Sequence, residues 1–145
     1  MKKKILLSLF AFGFVLAMPN NTYAEGWSKS GSDWVYLDKN NYKLSNEWKK
    51  GADDKWRYLS DNGVMATNSW VDDDKYYVDE QGLIVEGWKK LKDRNGEYWA
   101  YFQSGGKAVK GNWKIINDKY YYFDDEGKML TGWILDNDYY INRQV

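Results

Sequence analysis

The chain has 145 residues, with 21 Lys and Arg balanced by 21 Asp and Glu, no His and no Cys. That length holds one domain or an array of small units, not an enzyme domain with a second module. The interspersed charge excludes a phosphate-backbone binder such as a nucleic-acid protein, and the missing His and Cys leave an enzyme little to work with.

The first element is a leader. Lys2 to Lys4 form a basic start, and Ile5 to Met18 form a mostly apolar run. Thr22 and Ala24 then occupy the small-residue positions of a cleavage site. The run is shorter than the ~20 residues of a membrane span, so residues 1–24 read as a secretory signal cut after Ala24, with no transmembrane segment left once it is removed. Loss of its three Lys leaves 18 basic and 21 acidic residues, net −3. An exported chain without Cys is held by packing alone.

From Trp27 onward the sequence repeats itself. Units begin at Trp27, Trp48, Trp70, Trp88 and Trp113, and a partial sixth begins at Trp133. Each runs from its leading Trp through a polar stretch of variable length to an aromatic group such as "WRYL", and then to a Gly. The spacing from the second aromatic to that Gly is constant: Tyr58 to Gly63, Tyr77 to Gly82, Tyr101 to Gly106 and Tyr122 to Gly127, with Asn41 standing in after Tyr36. The variable stretches have turn compositions, and a segment that tolerates insertion is a hairpin tip. Each unit therefore reads as a β-hairpin. Single hairpins are marginal in water, so the expected fold class is all-β, a solenoid of stacked hairpins over residues 25–145.

Strand alternation divides the aromatic group between two faces. Leu37, Leu59, Val78, Phe102, Phe123 and Ile141 form the expected inner seam. Tyr36, Tyr58, Tyr77, Tyr101, Tyr122 and Tyr140 face the other side beside Trp34, Trp56 and Trp99. Where those three units have Trp, the others have Lys75, Tyr120 and Asp138. A core layer does not accept Lys or Asp without partners, so this position is expected to be wet and site-forming. A leading Trp, the second Trp of its hairpin and the Tyr of the next hairpin would wall a shallow box. Ring faces carry negative quadrupole charge, so the box suits a quaternary ammonium.

Units of the form "GW…WxYL/FxxxGxMxTGW" resemble the choline-binding repeats of pneumococcal-type cell-surface proteins, over residues 26–145. The resemblance implies a left-handed hairpin solenoid, with choline held between consecutive repeats by three aromatics, often beside a Met. It further implies non-covalent, cell-surface attachment to phosphocholine of teichoic and lipoteichoic acids, with choline as ligand and no cofactor. Carried onto this chain, it gives a first box of Trp27, Trp34 and Tyr58, and a second of Trp48, Trp56 and Tyr77 with Met65. A third comprises Trp88, Trp99 and Tyr122, and a weaker fourth Trp113, Tyr120 and Tyr140 with Met129. Between Trp70 and Tyr101, Lys75 replaces the second ring, and its ammonium would repel the ligand or fill the box. The last hairpin, with Asp138 and no successor, is expected to close the array.

Four other readings compete. Glucan-binding repeats share the "YYF…G…TGW" outline, and would use the rings as flat stacking platforms for sugars. A wall-anchored adhesin could contact a host surface protein through tips such as Asp72 to Lys75 or Lys92 to Tyr98. Acids such as Asp124 and Asp125 fit turns better than a hydrolase pair, and the run Asp72 to Asp74 lacks the alternating spacing of a calcium loop, so neither a catalytic nor a metal site is expected.

Overall fold

A computed structural model describes residues 25–134 and 139–141; the leader expected over residues 1–24 lies outside the described residues. Among the described residues, twelve short strands form six antiparallel pairs. These are β1 (Gly26–Ser30) with β2 (Asp33–Leu37), β3 (Glu47–Lys50) with β4 (Trp56–Leu59), β5 (Ser69–Val71) with β6 (Tyr76–Val78), and β7 (Gly87–Asp93) with β8 (Gly96–Phe102). They continue with β9 (Asn112–Ile116) and β10 (Lys119–Phe123), then β11 (Gly132–Ile134) and β12 (Tyr139–Ile141). Among the described residues no helix is long and apolar enough to cross a membrane. The all-β hairpin architecture expected from the repeat is the one observed.

The tips carry the turn chemistry their composition announced. Asn117 and Asp118, at φ 50° and 61°, join the paired residues Ile116 and Lys119; two left-handed residues make the turn whose twist suits a hairpin. Asp72, Asp73 and Asp74 take the same conformation in succession, which short polar side chains tolerate better than bulky ones.

The constant spacing has a hydrogen-bonded cause. The Asp124 carboxylate accepts from the N–H groups of Glu126 and Lys128 at 3.0 and 2.8 Å. Asp38 does the same for Asn40 and Tyr42, and Asp79 for Gln81 and Leu83. Each closes a turn of fixed length. Within the turn the chain passes a left-handed residue, Asn41 at φ 65° or Gly63 at φ 72°, and after it a tail runs back along its own second strand, bridging Leu37 to Lys43 and Leu59 to Met65.

By its contacts the chain divides into two compact units, one closing at Met65 and one opening at Ala66. In the first, the tail of the second hairpin docks on the first hairpin, where the Met65 N–H donates to the Trp34 carbonyl at 2.8 Å. In the second, Ala108 donates to Lys75 at 2.9 Å and Met129 to Trp99 at 2.8 Å. The repeating Gly lies at this joint. A Cβ on Gly63 would sit 2.6 Å from the Leu44 carbonyl oxygen in the preceding tail.

The expected seam is the core: Leu59, Val78, Phe102 and Phe123 are completely buried. Leu37 is half-buried, and the side chain of Ile141 lies outside the described residues. Val35, Ala100 and Tyr121 share the buried face, and so does Arg57, only 4% exposed. Its guanidinium makes two parallel 2.8 Å hydrogen bonds to the Asp53 carboxylate, so the charge enters the core layer already paired. Gly51 makes room, since a Cβ there would lie 2.5 Å from Arg57 and 2.6 Å from Asp53.

Candidate functional site

Strand register decides what each leading Trp touches first. Trp27 lies opposite Tyr36, Trp48 opposite Tyr58, Trp70 opposite Tyr77, Trp88 opposite Tyr101 and Trp113 opposite Tyr122. All five pairs meet edge-on, with centroids 5.1 to 5.7 Å apart. This same-hairpin Tyr was missed in the sequence, although equal strand lengths about each tip encode it. Edge-to-face contact fixes the plane of each leading indole.

The most complete assembly is on β7 and β8. Trp88 and Trp99 stand nearly perpendicular, 6.2 Å apart at 88°. Behind Trp88 lie Tyr121 at 4.8 Å and Phe123 at 5.8 Å from the next hairpin, and Met129 packs into the same cluster. Of the expected set Trp88, Trp99 and Tyr122, the structure brings the two Trp together and places Tyr122 against Trp113 of its own hairpin at 5.3 Å.

Both Met are displaced from their expected partners by one unit. Met65 was assigned with Trp48, Trp56 and Tyr77, and Met129 with Trp113, Tyr120 and Tyr140. Their N–H groups instead bond to Trp34 and Trp99, because each tail docks backward on the preceding hairpin. In the first unit, Met65 is tied through its N–H to Trp34; Trp27 donates its indole N–H to the Lys50 carbonyl at 2.9 Å, and Tyr58 rests on Trp48. Trp48 and Trp56 lie in the first unit and Tyr77 in the second. Trp56 and Tyr120 are the most open ring positions of the set, at 47% and 66% exposure, and the side chain of Tyr140, like Asp138, lies outside the described residues.

Ammonium groups of the chain already settle on these rings. Lys29 Nζ is 4.7 Å from the Trp34 ring centre and Lys50 Nζ is 5.5 Å from that of Trp56, each reaching across from the opposite strand. In the third hairpin the corresponding pair is ionic. Lys75 donates to Asp72 and Asp73, both at 3.3 Å, and these hydrogen bonds raise its pKa. Its ammonium therefore stays at the tip and does not fill the box of Trp70. Among the described residues no group of acids is arranged to hold a metal.

Comparison with known proteins agrees with this geometry. The choline-binding repeat family matches residues 42–83 and again 109–142. Among solved structures, the chain is similar to CbpJ of Streptococcus pneumoniae, at 32% identity and TM-score 0.62 over 83% of this chain and 41% of that one. It is also similar to choline binding protein F of the same organism, at 34% identity and TM-score 0.56 over 77% of this chain and 37% of that one. Among curated proteins, glucosyltransferase-I of Streptococcus downei is 27% identical over 95 residues, 66% of this chain and 6% of the enzyme. The chain thus spans less than half the length of each of these relatives. Two matches to one repeat description, on hairpins that carry the same cross-strand Trp–Tyr pair, settle the assignment: the chain belongs to the choline-binding repeat family.

Proposed function

We propose that the chain is a non-catalytic module that holds its bearer on the bacterial cell wall by taking phosphocholine groups of teichoic and lipoteichoic acids into ring-walled gaps. The observation that carries this reading is the perpendicular pair Trp88 and Trp99 flanked by Met129. A trimethylated nitrogen is large, weakly hydrated and has no N–H to donate. It calls for π faces and a polarisable thioether, not for a carboxylate. We assign the third wall to Tyr122 and give Tyr101 the task of fixing the plane of Trp88. The first unit offers the corresponding set Trp27, Trp34 and Tyr58 with Met65, and Lys29 over Trp34 supports the affinity of that ring for cations.

At ~0.5–2 kcal/mol per ring, three rings supply a few kcal/mol, close to the ~4 kcal/mol of a millimolar constant. The test is retention on a resin bearing quaternary ammonium groups. The protein is expected to bind, to elute with free choline, and to lose most of its retention in Trp99→Ala. The likeness to glucosyltransferase-I favours a second reading, in which the rings stack on glucan. Retention on dextran that choline does not reverse would replace the first reading by the second.

A further inference from the structure

The gap at Trp70 differs from its counterparts in three places at once. Its second ring is Lys75 where other hairpins have Trp34, Trp56 and Trp99. The tail residue docked beside that position is Ala108, where Met65 and Met129 dock beside Trp34 and Trp99. Two residues later comes Lys110, where the corresponding positions hold Ser45, Thr67, Glu86 and Thr131. The first two changes leave a ligand fewer walls than at Trp88, which weakens the gap without closing it. The third supplies a cation.

Lys110 Nζ stands 4.7 Å from the centre of the Trp70 ring, inside the ~6 Å range of a cation–π contact. Its stem is seated, since a Cβ on Gly127 would approach Lys110 Cγ to 3.3 Å. Trp70 is equally fixed. Its indole N–H donates to the Tyr98 hydroxyl at 3.3 Å, its ring meets Tyr77 and Phe102 at 5.7 and 5.3 Å, and Ala108 and Leu91 belong to the same cluster. Tyr98 comes from the lengthened tip of β7 and β8, which is tied down where Asp93 meets Lys128 at 2.7 Å.

We infer that the gap at Trp70 is a cation site whose occupant is built into the chain: Lys110 takes the ligand's place there, closes that joint without choline and denies it to free quaternary ammonium. A tethered cation acts at an effective concentration of about millimolar, so even a weak contact holds against a free ligand of millimolar affinity. The ligand half of this inference rests on the choline reading above; the occupancy by Lys110 does not.

Indole N–H resonances of the intact chain separate the two. Without ligand, the ε-methylene protons of Lys110 are expected upfield of ordinary Lys values, and Trp70→Leu abolishes that shift; its absence in the native chain overturns the inference. With choline, the Trp88 and Trp99 signals should move while Trp70 stays still. In Lys110→Met, the Trp70 signal should move too and titrate to saturation, adding one site per chain, whereas Lys110→Arg, which keeps the charge, leaves Trp70 silent. A Trp70 signal that follows choline in the native chain, or ignores it in Lys110→Met while the other indole signals remain native, also overturns it. If no indole responds to choline in any variant, the choline reading fails, and the Lys110 ring-current shift alone decides whether the inference stands.

Discussion

Two residues show how closely composition is tied to position here. Gly63 has both a left-handed backbone and the Leu44 carbonyl oxygen against it, so a methyl group there brings conformational strain and a contact that only a backbone shift relieves. Gly63→Ala is expected to cost ~2–4 kcal/mol in urea unfolding, whereas Gly105→Ala, with open space around its Cβ position, costs only the ~1 kcal/mol of its left-handed φ. Arg57 is the other case. Asp53 is 39% exposed, and the Arg57 guanidinium holds its carboxyl well below the usual carboxylate range. A depressed folded-state pKa means stability that is present above the unfolded value of about 4 and is lost as pH falls through the folded one. Asp53→Asn should therefore destabilise by ~1–2 kcal/mol at pH 7, reduced from a fully buried pair because solvent screens Asp53. The gap between the two proteins should narrow as pH falls below about 4; a gap unchanged down to pH 2 would show that the ion pair contributes nothing.

At the scale of the hairpin, the turn after the second strand sets the length of the repeat. Asp124 accepts two backbone N–H groups there, while Asp125 beside it is exposed. Asp124→Ala should cost ~1–2 kcal/mol, about the value of bonds to a charged acceptor, and Asp125→Ala should stay within about 0.5 kcal/mol, both by urea denaturation. Equal losses would point to a general charge effect instead of the turn. The constant interval to Gly was legible in the sequence because a hydrogen-bonded turn admits no insertion, and the inner seam was legible because side chains alternate with period two. Alternation gives the faces of a strand but not which neighbouring hairpin each face meets. For that reason the expected sets place Met65 and Met129 one unit later than their backbone bonds to Trp34 and Trp99 do, and the contact that Tyr58 and Tyr122 also make with the Trp of their own hairpin went unread. The same alternation puts Arg57 on the face of Leu59, but its partner Asp53 lies in a tip whose fold the sequence leaves open.

At the scale of the molecule, each compact unit carries its own perpendicular or cation-covered Trp set: Trp27 and Trp34 in the first, Trp88 and Trp99 in the second. On the choline reading proposed above, one such set has about millimolar affinity for free choline, too weak to hold a protein on a surface. Two on one chain meet a polymer that displays many cholines, and the second contact then forms at the effective concentration set by the first, raising overall avidity by ~10²–10⁴ with no new interaction. This predicts a separation that local measurements would miss. Trp34→Ala should leave the choline constant read at the Trp99 indole within about twofold of native, while affinity for a choline-bearing polymer falls by ~100-fold or more. If the two constants fall together, the sites are coupled through folding. If polymer affinity does not change, one site suffices and repetition serves only to bury the seam of Leu59, Val78, Phe102 and Phe123.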